Sequence, residues 1–180
     1  MSGSSYGGTS VFDNSEVIDF SNLDVATVGG IGKFSNVELG KILAGKIASV
    51  STSVGYLTES VSGFCAPKDF ETMLQLTYLN FTSPRKDQDA FNSYLSRSKA
   101  ALKNAEMNPA TAFQDSVSIA LYNNHPRAKR IHADDLDKIN YDRVIEMYKD
   151  RFADASDFTF ILVGNIDIET AKPLIEQYLG

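Results

Sequence analysis

Apolar residues recur at helical spacing over most of this chain and alternate with polar ones over one short stretch. Ser35 precedes Val37, Leu39, Ile42, Leu43 and Ile47, and Glu38 follows Ser35 by three residues. That pattern predicts a helix opened by a capping box, in which the hydroxyl and the carboxylate each satisfy a backbone N–H of the first turn. Pro67-Lys68-Asp69 begins another helix, whose Phe70, Met73, Leu74, Thr77, Tyr78 and Phe81 fall three or four residues apart before Pro84 ends it. A helix over about 88–105 has Phe91, Tyr94, Leu95 and Leu102 on its buried side and closes at Asn108-Pro109. A shorter one follows over about 110–122. Asn140 caps a helix with Val144, Ile145, Met147 and Tyr148 inward, and Asp167 caps the last.

Residues 48–66 are rich in Ser, Thr and Val with partial alternation, which predicts two strands meeting near Ser53 to Gly55. Phe158 to Val163 is a continuous apolar run between Asp157 and Gly164, the pattern of a well-buried strand. From Asn14 to Val28 the apolar residues Val17, Ile18, Phe20, Leu23, Val25, Ala26 and Val28 are dense, and a helix is expected there, stopped by Gly29, Gly30 and Gly32. Residues 1–12 are Gly/Ser-rich without periodicity and read as a flexible lead, leaving 13–180 as a single unit. The element order lacks the strict alternation of a parallel doubly wound sheet.

With 180 residues, 43% of them apolar, the chain can bury the core of one globular domain. A net charge of -6 and the lack of a Lys/Arg stripe argue against nucleic acid as a partner. The one basic knot, Arg127, Lys129 and Arg130, lies between Pro126 and the acidic Asp134, Asp135 and Asp137, so a solvated loop is expected. No stretch approaches the roughly 20 apolar residues of a membrane span. Cys65 is the single cysteine and reads as a small, buried or half-buried thiol. Met1 followed by the Gly/Ser-rich run suggests a start inside a longer reading frame, with any address encoded upstream.

Candidate chemistry is sparse. Gly29-Gly30-Ile31-Gly32-Lys33 resembles part of a phosphate loop, but Thr27 stands in place of the first glycine and Phe34 in place of the magnesium-binding hydroxyl, so a helix-breaking turn is expected. His125 and His132 are seven residues apart in a loop, without the H-x-x-E-H helix or cysteine cluster that would hold a metal. Asp134, Asp135 and Asp137 suit a helix start, where acids meet the positive end of the dipole. No Gly-x-Ser-x-Gly elbow is present, and a hydrolase of unrelated mechanism built on His125 is the weakest alternative. The expectation is no catalytic residue and no metal ligand, with substrate-binding residues unknown.

From Gly32 onward the order of motifs resembles a repeat of the insulinase/pitrilysin family of zinc metallopeptidases. The likeness rests on Gly32-Lys33-Phe34-Ser35 with Glu38-Leu39 and Leu43-Ala44-Gly45-Lys46; on Pro67-Lys68-Asp69-Phe70-Glu71; on Phe81-Thr82-Ser83-Pro84-Arg85; and on Tyr122-Asn123-Asn124-His125-Pro126. Tyr148-Lys149-Asp150-Arg151-Phe152 and the run from Phe158 through Val163-Gly164-Asn165-Ile166-Asp167 complete it.

This resemblance implies an α+β fold, a mixed and mostly antiparallel sheet packed against helices as in the processing-peptidase-like metallohydrolases. It implies that the 14–28 segment stands where the family's catalytic helix would be, and that the distal carboxylate would fall near Ala100 and Ala101. The segment has no histidine and those two positions no acid. The expected role is therefore a non-catalytic repeat of a bacterial zinc endopeptidase, with zinc and proteolysis in another repeat and none in this segment. Its expected partners are those repeats and peptide substrate, and the parent is expected in the periplasm or cell envelope. A free-standing adaptor or peptide-binding module is the alternative. Family repeats open with strands, so the sheet is expected to lack its first strands, leaving an exposed edge through which copies associate.

Overall fold

A computed structural model describes residues 1–180. Strands β1 (Ser2–Tyr6), β2 (Ala48–Val54), β3 (Thr58–Cys65) and β4 (Thr159–Ile161) make one antiparallel sheet in the order β2-β3-β1-β4. The β2–β3 hairpin lies where the alternation predicts it. One face of the sheet packs on helices. Val61 on β3 is fully buried there, and the open backbone of Gly63 lets Met73 approach so closely that an added Cβ would stand 2.9 Å from its sulfur.

The front of the chain departs from expectation. The Gly/Ser-rich segment read as a flexible lead contains β1, an interior strand paired with both β3 and β4. Its composition follows from crowding. Gly3 faces the core, where a Cβ would stand 2.7 Å from the Phe160 ring and 2.8 Å from Val61. Only a glycine permits that approach. One strand therefore precedes the helices, in the segment where only a loose lead was expected.

Helix α1 (Val17–Phe20) is one turn between 3-10 turns at Asn14–Glu16 and Leu23–Thr27, not the continuous helix expected over 14–28. The Asn22 side chain donates to the Ile18 carbonyl at 2.7 Å and takes a turn conformation that ends α1. The broken path turns Phe20, Leu23, Val25 and Ala26 into the core in different directions. It explains why the apolar density there has only a rough period.

Helix α2 (Asn36–Ile42) carries the predicted capping box, with Ser35 Oγ accepting from the Glu38 N–H and the Glu38 carboxylate accepting from the Ser35 N–H at 2.8 Å. Helices α3 (Phe70–Thr82), α4 (Gln88–Glu106), α5 (Pro109–Leu121), α6 (Tyr141–Arg151) and α7 (Ile168–Leu179) follow the predicted order, with Asn140 and Asp167 accepting at the caps of the last two. The core joins α3, α6 and the sheet through Phe81, Phe152 and Phe158, whose rings meet at 4.9 to 5.7 Å. Burying such rings stabilises by a few kcal/mol each. Phe91 of α4 stacks on Tyr141 at 4.3 Å and fixes α4 to α6.

The strand expected over Phe158–Val163 is shorter and less buried. Only Thr159–Ile161 pairs, at a sheet edge, and Ile161 and Val163 are 60% and 85% exposed. Its continuous apolar run buries Phe158, packs half-buried Phe160 against the same core, and leaves Ile161 and Val163 uncovered.

Candidate functional site

The segment that would carry a family catalytic helix has its acids committed elsewhere. The Glu16 carboxylate accepts from Arg143 Nε at 2.6 Å, and Asp19 accepts from the Asn140 N–H at 2.7 Å, joining this segment to the start of α6. Burial pushes the Asp19 carboxyl above its ordinary range, partly offset by that hydrogen bond. Asp24 accepts from the Tyr94 hydroxyl at 3.2 Å. Ala100 and Ala101 are exposed on α4. A zinc ion needs converging imidazole, thiolate or carboxylate donors, and no group of three or more such side chains converges anywhere in the fold. The residues present do not fit zinc.

The two histidines lie apart in function. His125 Nδ1 accepts from the Arg127 N–H at 3.3 Å, capping a short turn. His132 Nδ1 lies 3.2 Å from Glu106 at the end of α4. Glu106 also accepts from the Ala133 N–H, the first cause of its carboxyl lying below the usual range. Asp135 caps the turn after His132 and pairs with Lys138, while Asp137 pairs with Lys99. Asp134 and Asp135 lie in the first turn of the 3-10 segment Ala133–Lys138, where the helix-start reading puts them, while Asp137 lies beyond that turn.

The basic knot is not the solvated loop expected. Arg127 reaches back across the fold, donating to Asn14 Oδ1 at 2.6 Å, the Thr9 carbonyl at 3.0 Å and the Phe12 carbonyl at 2.5 Å, over the Phe20 ring. It anchors the front of the chain, which composition alone could not indicate. Gly29 to Lys33 is a turn: Gly30 has φ 97, and a Cβ there would stand 2.1 Å from the Phe34 carbonyl oxygen. Gly29 approaches the Arg85 carbonyl just as closely. Backbone fills the space that a phosphate would need.

Two features remain that could meet a ligand. The first is a groove of about 640 Å³ at the end of the sheet, between β3, α3 and α7, lined by Phe64, Cys65, Phe70, Met73, Val163 and Leu174 among others. Burial pushes the Cys65 thiol up from its ordinary value, which favours the protonated form.

The second is the sheet face turned away from the helices. Cross-strand register sets Thr159, Ser4, Ser60 and Ser53 in one row and Ile161, Ser2, Ser62 and Ser51 in the next. The Ser53 and Ser60 hydroxyls are 2.8 Å apart and hydrogen-bonded. None of the outward positions on the four strands carries a charge. Tyr6 and Phe64 border this hydroxyl surface and are 90% and 67% exposed. The alternating serines of 49–53 and 60–62 were the available signal for it.

Comparisons with known proteins agree with the resemblance read from the motifs. No family model matches the chain. A protein named zinc protease PQQL-like from Arabidopsis thaliana is 29% identical over 181 residues, covering all of this chain and 16% of the relative. The probable zinc protease PqqL of Haemophilus influenzae is 23% identical over 154 residues, covering 84% of this chain and 16% of its own length. The chain thus spans about a sixth of each curated relative. The crystal structure of the periplasmic protease PqqL from Escherichia coli superposes with a TM-score of 0.80 at 21% identity, over 99% of this chain and 20% of that one. The ferredoxin protease FusC in complex with Arabidopsis ferredoxin gives 0.73 at 17% identity, with the same coverage. A protease from Helicobacter pylori gives 0.67 at 11%, over 98% of this chain and 43% of that one. The α+β fold is that of these proteases.

Proposed function

From its similarity to proteins named zinc proteases we propose that the chain is one non-catalytic repeat of a larger zinc endopeptidase of the insulinase/pitrilysin type, forming part of the wall around its peptide substrate. The observation that carries the reading is a similarity to a zinc protease along the whole of this chain, whose 14–28 segment is broken into short turns and holds no imidazole. Zinc and its activated water belong to another repeat of the parent. Residues 13–180, with β1 ahead of them, act as a single repeat.

The hydroxyl-lined sheet face suits a chamber wall. Its uncharged hydroxyl rows hold water and offer hydrogen bonds without trapping a peptide by charge, and Tyr6, Phe64 and Ile161 give only separate apolar contacts around them. The E. coli relative is described as periplasmic, and the same compartment is proposed for the parent of this chain. No helix is long and apolar enough to cross a membrane.

A second reading is a peptide-binding module that stands alone on this fold. The open edge of β2 favours it, because strand addition needs unpaired backbone groups. Metal analysis separates the two. The 180-residue chain is expected to bind essentially no zinc, while the full reading frame around it binds one equivalent and cleaves unfolded peptides until chelated. Stoichiometric zinc held by this chain alone, or a full-length product without zinc, would overturn the proposal.

A further inference from the structure

Helix α5 is oriented with its apolar face outward. Along Pro109–Leu121 the single charged residue is Asp115, and it turns inward, 3.7 Å from Arg130 Nε. Thr111 and Ser118 on the same side are half-buried. The opposite side carries exposed Phe113, half-buried Val117 and exposed Leu121, four residues apart and so in one stripe, flanked by Ala110 and Ala120. Phe113 is 69% exposed and Leu121 74%, Met107 just ahead of the helix is 75%, and no residue of α5 is buried. A surface helix ordinarily turns such a stripe to its own core, and an isolated helix of this length is marginal in water.

The geometry points to α5 as a docking helix whose Phe113–Val117–Leu121 stripe is covered by an uncharged apolar surface from another repeat of the same parent polypeptide. This rests on the proposed function above. The occupant follows from length and chemistry. The Arabidopsis relative aligns with all of this chain, α5 included, and more than four-fifths of its length lies outside the aligned part. A stripe without a charge, on a chain of net charge -6, selects an apolar partner surface and not a basic one. Exposed stripes of this kind mark interaction sites.

Amide hydrogen exchange tests it. In the isolated chain the amides from Phe113 to Leu121 are expected to exchange close to the unstructured rate. In the full-length polypeptide they are expected to slow on the order of 100-fold, and Phe113→Asp with Leu121→Asp is expected to abolish that protection while amides of α6 and β3 stay unchanged. Equal exchange in the isolated and full-length proteins overturns the assignment. So does protection in the isolated chain that grows with its concentration, which would make a second copy the occupant. Zinc content of the full-length protein is read separately: protection of α5 without zinc leaves the docking helix standing and removes the peptidase reading.

Discussion

Single side chains hold the front of this fold to its back, and their chemistry sets a pH limit. Glu59, 3% exposed on β3, accepts from the Gly8 N–H at 2.6 Å, and Arg151 of α6 lies 3.9 Å away, so a buried carboxylate closes the turn after β1. Tyr148 of α6 donates to the Asn80 carbonyl at 3.1 Å and lies 2.9 Å from the Thr52 hydroxyl of β2. Burial pushes the Tyr148 phenol up to about 12 from an ordinary value of 10.0. The raised value means that the fold favours the neutral phenol. The stability it contributes is therefore complete below pH 10 and is lost as pH rises from 10 toward 12, by about 2–3 kcal/mol. Tyr148→Phe is expected to cost about 1 kcal/mol at pH 7 through the lost hydrogen bond and to remove this part of the alkaline loss. Urea midpoints of both proteins between pH 8 and pH 11.5 measure it, and parallel curves would refute the assignment.

At the scale of elements, the sequence was legible wherever a cap and a period coincide. Ser35 with Glu38, Asn140 and Asp167 all cap as predicted, and α6 buries every residue that its spacing selects, whereas α3 buries Met73, Leu74, Thr77 and Phe81 but leaves Tyr78 exposed, and α4 fully buries only Phe91. Illegible elements are those whose composition answers to tertiary crowding. β1 has the residues of a loop because Gly3 lies under Phe160 and Val61. The 14–28 segment has the apolar content of a helix because it plugs several directions of the core at once. The candidate surface was half-legible: alternation gave β2 and β3, but which serines share a face with β1 and β4 depends on a register that local sequence does not set. A chain lacking residues 1–7 tests the status of β1. If β1 is an interior strand, its removal exposes the edges of both β3 and β4, and cooperative urea unfolding by circular dichroism should be lost. A truncated protein that unfolds at the full-length midpoint would return the segment to a loose lead.

The whole molecule, taken alone, leaves a sheet edge open. Natural edges are protected by shortness, charge, proline or a bulge. β4 has only three residues, so shortness protects it. β2 has seven, ASVSTSV, with neither a charge nor a proline. Antiparallel pairing of two copies along β2 is self-complementary about its middle residue, Ser51, which would face its own copy. Such pairing extends one sheet across two molecules and keeps both hydroxyl faces free. The isolated chain is therefore expected to associate through β2 as concentration rises, with Ser51→Lys returning it to monomer because two like charges then meet at the axis. In the full-length protein a neighbouring element would cover that edge, and association should disappear. Sedimentation velocity over a hundredfold concentration range decides it: a constant monomer mass for the unmodified chain would mean that β2 is already protected, and that strand addition at this edge is unavailable to substrate peptides as well.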